Sequence, residues 1–170
     1  MNKNLLKWLP VLAALALLNG CAGYQLGSML PPDIQKVYVP TFVNQTTEPF
    51  IEIETTQATI VEFQLDGSLE VVREEQADSI LEVTLKDYNL EAVGYSKVRR
   101  TQANEYRVTI TASILFKRKA TDEVVVNYPA VIGQETFPYS GDLSSAKRAV
   151  LPQVAEQLAH NIVKRVVETW

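Results

Sequence analysis

Along residues 105–119, EYRVTITASILFKRK, apolar side chains return at every second position. Tyr106, Val108, Ile110, Ala112, Ile114 and Phe116 take every second position, so in an extended chain all six point to one side. Such a strand cannot leave that side in water, and the residues able to cover it lie at the end of the chain. From Ser144 to Trp170 the period changes. Val150, Val154, Leu158, Ile162 and Val166 recur every four residues, flanked by Ala155, Ala159 and Val163. That is the broad apolar stripe of an amphipathic helix. Pro152 is expected near its beginning or at a kink. A lone helix cannot bury this stripe, so it must lie on the sheet.

The rest of the chain fits around that pair. QKVYVPTFV, 35–43, reads as a first strand, with Val37, Val39 and Thr41 on one face and Tyr38 and Phe42 on the other. Pro40 lacks a backbone donor and suggests an edge or a bulge. Residues 50–65 alternate at first, yet Ile51, Thr55, Ala58, Val61 and Leu65 also fit helical spacing. Their length and the Asp66-Gly67 stop favour a helix, with Thr47 as a cap and Pro49 in its first turn. LEVVR, 69–73, is a short strand. SILEVTLKDYNLEAV, 79–93, is a long one, with Leu81, Val83, Leu85 and Asp87 opposite Ile80, Glu82, Thr84, Lys86 and Tyr88. EVVVNYPAVIGQETF, 123–137, follows the turn Ala120-Thr121-Asp122 at hairpin spacing. The expected fold class is α+β: a two-layer sandwich with a mostly antiparallel or mixed sheet of about four strands and two helices packed on one face.

The amino end carries a different message. Lys3 and Lys7 precede a continuously apolar run, Val11 to Leu18, which is too short to span a bilayer. Residues 1–20 read as an export signal. It ends Leu18-Asn19-Gly20-Cys21, which resembles the bacterial lipobox. The resemblance implies that Cys21 is lipidated and becomes the first mature residue. An exported chain with one cysteine cannot form an internal disulfide. Each buried methylene of an acyl chain contributes ~0.8 kcal/mol, and stable anchoring takes more than one chain. The three chains of a lipobox product would hold the protein on a membrane, and Ala22, where an Asp would signal retention at the inner membrane, favours the outer membrane. Residues 21–34, with Pro31-Pro32, read as a tether, and residues 35–170 as a single domain.

Composition narrows the function. Loss of residues 1–20 leaves 14 basic against 20 acidic side chains, a poor match for nucleic acid, whose binding rests on neutralising phosphates. No cofactor motif is present: the seven glycines are scattered, and no pair of His or Cys has metal-ligand spacing. His160 is the only histidine and reads as a surface helix residue. Glu52, Glu54 and Glu62 read as a solvated helix face. These features describe a binding protein, not an enzyme. Two basic clusters stand out: Lys97, Arg99 and Arg100 between the second and third long strands, and Lys117, Arg118 and Lys119 at the end of the third. They fall at opposite ends of that strand. Each serves solubility and strand-end protection, or contacts an anionic lipid headgroup, where Arg binds phosphate bidentately.

Gly20-Cys21 followed by Gly23-Tyr24-Gln25-Leu26, KVYVPTFVNQTTEP at 36–49, EFQLDGSLEVV at 62–72 and ADSILEVTLKDY at 77–88 resemble the lipopolysaccharide-assembly lipoprotein family LptE. The resemblance implies two helices on a mostly antiparallel sheet and residence at the inner face of the outer membrane. It implies a large β-barrel translocon, LptD, as partner, plugged by the domain, and lipopolysaccharide as ligand. The alternative is an outer-membrane lipoprotein that activates a cell-wall synthase or forms part of a secretion pore.

Overall fold

The computed structural model describes residues 30–95, 103–139 and 141–168. In chain order the elements are β1 (Lys36–Tyr38), β2 (Val43–Asn44), α1 (Ile51–Asp66), β3 (Glu70–Val71), β4 (Ser79–Tyr95), β5 (Ala103–Arg118), β6 (Glu123–Pro138) and α2 (Leu143–Val167). The described strands form one six-stranded sheet in the order β3-β1-β4-β5-β6, with β2 also on β4. The long strands β4, β5 and β6 pair antiparallel, whereas β1 pairs parallel with β3 and β4, and β2 parallel with β4. The sheet is thus mixed, and the segment expected as one first strand supplies two of its strands, β1 and β2.

One core joins both helices to one face of the sheet. Leu81, Val83 and Leu85 of β4 and Val108, Ile110, Ala112, Ile114 and Phe116 of β5 are buried there, as the alternation requires. Val150, Val154, Leu158, Ile162 and Val166 of α2 cover them, with Ala155, Ala159 and Val163. Full burial of each large apolar side chain contributes roughly 1.5–3 kcal/mol. Pro152 lies inside α2, on its exposed side. Asp142 caps α2, accepting from Ser144 N and Ser145 N. Leu30 and Ile34 also join the core, so packing starts within the segment assigned to the tether.

Three local departures matter. The first strand is cut in two at Pro40. Beyond the break the parity inverts, so Phe42 is buried and Thr41 exposed. Second, α1 is rolled from the expected stripe. It buries Ile51, Thr55, Thr56, Thr59 and Phe63 and leaves Val61 and Leu65 exposed. Threonine is tolerated inside because its hydroxyl finds a partner. Thr55 Oγ1 donates to Ile51 O at 2.8 Å and Thr59 Oγ1 to Thr55 O at 2.8 Å. Thr56 Oγ1 donates to Glu52 O at 2.6 Å and accepts from Phe42 N at 3.0 Å, pinning the cut strand to the helix. Phe63, the largest side chain of the helix, then sets which face goes in. Third, the ladder between β4 and β5 shifts between Leu85 and Asp87. A bulge inserts one residue and reverses the alternation. Tyr88 and Leu90 therefore turn toward the helices, while Asp87 is exposed.

Candidate functional site

The bulge creates the site. Tyr88 enters a cavity of about 410 Å³ between the start of α1 and the start of α2. Pro49, Phe50, Ile51 and Leu151 form its apolar wall. Its polar side is Tyr88 with Glu48, Ser144, Lys147 and Arg148. Lys147 Nζ is 2.6 Å from Glu48 Oε2 and 5.2 Å from the centre of the Tyr88 ring, a cation–π distance. Burial and then the charge of Glu48 push the Tyr88 phenol up to about 12. It is a neutral hydroxyl at physiological pH. Arg148 supplies a second cation, its guanidinium donating to Ser145 Oγ at 3.4 Å.

The loop before α1 is built by Asn44 and Thr46, not by a Thr47 cap. Asn44 Nδ2 donates to Glu48 O at 2.9 Å and to Glu52 Oε2 at 2.8 Å, and Asn44 Oδ1 accepts from Thr46 N at 2.9 Å. Phe50 takes the cap position at φ 67° with no side-chain bond and is 71% exposed. A left-handed conformation costs a non-glycine residue roughly 1–2 kcal/mol. The strain sits at the cavity lip, on a large apolar side chain left in water. An amphiphile fits these walls: an apolar tail against Phe50, Ile51 and Leu151, an anionic head toward Lys147 and Arg148.

The basic clusters read from the sequence are placed differently. Lys97, Arg99, Arg100 and Cys21 lie outside the described residues. The other three sit together where β5 turns into β6, and each has an internal partner. Lys117 Nζ is 2.9 Å from Glu82 Oε1 and 3.5 Å from Asp122 Oδ1. The hydrogen bond to Glu82 is the chief cause of its raised pKa. Arg118 pairs with Glu123 at 3.1 Å and with Asp33. Lys119 Nζ donates to the Glu74 carbonyl. The Asp33 pair fixes the incoming chain at this end of the sheet. Tyr95 and Ala103 lie at the other end of β5, roughly 50 Å away at ~3.3 Å per residue.

The acidic residues of α1 are also more engaged than a solvated face implies. Glu52 holds Asn44, and Glu62 Oε1 lies 2.9 Å from His160 Nδ1, linking α1 to α2. Among the described residues no group of His, Cys, Asp and Glu could hold a metal ion. No helix there is long and apolar enough to cross a membrane.

The second face of the sheet is uncovered by helix, and its centre is largely polar, with the exposed Asp87 and Ile132 on either side of Thr111. Thr84 pairs with Ser113, Asn89 with Thr109, and Thr109 in turn with Gln134. Thr111 and Thr136 continue the pattern. Charges there are paired at two margins: Glu82 with Lys117, and Glu91 with Arg107 at 3.4 Å.

The family model for LptE, lipopolysaccharide-assembly, matches residues 34–166. The chain belongs to the LptE family. A search of curated proteins finds no significant match. Solved structures share the fold. One, of a Xanthomonas campestris protein, is 13% identical with a TM-score of 0.57, over 81% of this chain and 88% of that one. A Chlamydia trachomatis hypothetical protein is 9% identical with a TM-score of 0.52, over 78% and 95%. Lipoprotein B of Nitrosomonas europaea is 13% identical with a TM-score of 0.50, over 85% and 88%. The LptE resemblance in the sequence thus reaches the same family as the model covering nearly the whole described domain.

Proposed function

We propose that this protein is a lipid-anchored outer-membrane lipoprotein that docks inside a large β-barrel translocon of the LptD kind, plugs its lumen and assists lipopolysaccharide transport. It works by docking and not by turnover. The observation that carries this reading is the uncovered sheet face centred on Thr84, Asn89, Thr109, Thr111, Ser113 and Gln134. Large barrels have water-filled polar lumens, and a largely polar face suits such a wall. Membership of the LptE family supports the lipopolysaccharide role.

The anchor is Cys21, acylated after removal of residues 1–20. The chain enters the domain beside Arg118, at the turn between β5 and β6. The ligand is the phosphorylated head of lipopolysaccharide, reached through Lys97, Arg99 and Arg100 and through Lys147 and Arg148 of the cavity, with its acyl part against Phe50 and Leu151. Lys147, Lys117, Arg118 and Lys119 each hold an internal partner that an incoming headgroup must displace.

The test is affinity purification of tagged protein from its own envelope, followed by identification of what accompanies it. A barrel protein and lipopolysaccharide together support the reading. A peptidoglycan enzyme, or a homo-oligomeric ring without a barrel, refutes it. Arg99→Glu with Arg100→Glu should weaken lipopolysaccharide capture while the fold persists, and unchanged capture removes both from the site.

A further inference from the structure

The sheet ends on a long strand whose outer edge is occupied by side chains of its own helix. Strand β6 is the last in the order and spans 16 residues. An edge of that length presents unpaired main-chain groups and invites another strand. Here Asn161 Nδ2 donates to Ile132 O at 2.8 Å, and Gln157 Oε1 accepts from Gln134 N at 2.5 Å. Residues two apart in a strand turn their main-chain groups to the same edge. One donor and one acceptor from α2 therefore meet the acceptor and donor that an arriving strand would use.

The close approach depends on Gly133. A Cβ there would lie 2.5 Å from Leu158 Cβ and 2.8 Å from Leu158 N. Only glycine lets the helix come down between Ile132 and Gln134. Two further positions of β6, Pro129 and Pro138, have no N–H to offer. The opposite edge, β3, is two residues long. A cleft of about 540 Å³, lined by Ala130, Ile132, Asn161 and Lys164, opens beside the two bonds, where a strand would enter.

We propose that Gln157 and Asn161 form an edge lock, a side-chain stand-in for an added strand that keeps β6 from pairing with a second copy of the domain or with a foreign strand. The lock rests on geometry within this chain. For a domain that works inside a barrel, as proposed above, it confines contact to the sheet face.

The experiment uses the full chain in detergent with no barrel present, so its outcome is independent of the translocon reading. Amide exchange at Gln134 and sedimentation are measured for wild type, Gln157→Ala, Gln157→Glu, Asn161→Asp and the double variant Gln157→Ala/Asn161→Ala. Glutamate still accepts from Gln134 N, whereas aspartate cannot donate to Ile132 O. The lock predicts exchange about tenfold faster in Gln157→Ala and near wild type in Gln157→Glu. It predicts concentration-dependent self-association of Asn161→Asp and of the double variant, and none in Gln157→Glu, which also controls for folding. Unchanged exchange in Gln157→Ala overturns the proposal. So does a double variant as monomeric as wild type at every concentration.

Discussion

Lys147 Nζ and Glu48 Oε2 meet at 2.6 Å above the ring of Tyr88, joining the start of α2 to the loop that opens α1. Both charged side chains are shielded well beyond the usual surface pair, and both belong to the wall of the cavity. Lys147→Met leaves Glu48 without its cation. It should lower stability by about 1 kcal/mol or more and weaken binding of a phosphorylated amphiphile. Urea denaturation and a titration with lipid A test the two effects separately. Unaltered lipid binding removes Lys147 from the headgroup site.

Phe50 offers the opposite sign. Glycine at position 50 adopts φ 67° without the steric cost that a side chain meets there. Phe50→Gly should therefore hold or raise the denaturation midpoint, despite the loss of a whole aromatic ring, and at the same time reduce amphiphile binding. A clear loss of stability would show that the ring packs in the domain instead of serving the cavity lip.

Tyr88 ties the site to pH. Its phenol is raised to about 12 in the folded state, chiefly by burial. The folded form thus prefers the protonated hydroxyl. That contribution is fully present below the ordinary tyrosine value near 10 and is lost as pH rises toward about 12. Stability should fall across this window, and Tyr88→Phe should fall less steeply. Denaturation midpoints at pH 9 and at pH 11.5 measure the difference; parallel slopes in the two proteins would contradict it.

Gly133→Ala tests how closely α2 sits on β6. The added methyl meets Leu158 Cβ and backbone, not the end of a flexible chain. The helix must shift, at a cost of roughly 1–3 kcal/mol. A midpoint equal to wild type would mean that the helix is already free to move.

His160 and Glu62 bridge the helices at the surface, where the histidine side chain is 63% exposed. Such pairs contribute little, about 0–1 kcal/mol. His160→Ala should leave complementation of a depleted strain intact. Loss of growth with a folded protein would return His160 to the list of functional residues.

Much of the fold is legible in the sequence, because long alternation and a four-residue stripe leave few ways to bury Val108, Ile110, Ile114, Val154, Leu158 and Ile162. The cavity was not legible. Tyr88 reaches it because the register shifts after Leu85; its mark in the sequence is the polar pair Lys86-Asp87, after which the apolar positions move to Tyr88, Leu90 and Ala92, and a single alternation drawn across the whole run passes over it. Lys147 and Arg148 read as ordinary polar residues in the first turns of a helix, and the pairing of Lys147 with Glu48 spans 99 residues. Threonine burial hid the true inner face of α1: the expected stripe begins correctly with Ile51 and Thr55 but runs on through Ala58, Val61 and Leu65, because polarity places Thr56 and Thr59 outside. Charge density drew attention to Lys117, Arg118 and Lys119, whose partners Glu82, Glu123, Asp33 and Glu74 are distant or unremarkable in sequence.

The most direct measurement is site-specific photocrosslinking in the native envelope. A photoreactive residue at Thr109, Thr111 or Thr136 on the open sheet face should capture one large barrel protein, and the same group at Glu156 on the outer side of α2 should capture it less. Open-face crosslinks to some other protein, or none at any position, would contradict a domain that seats that face against a barrel wall.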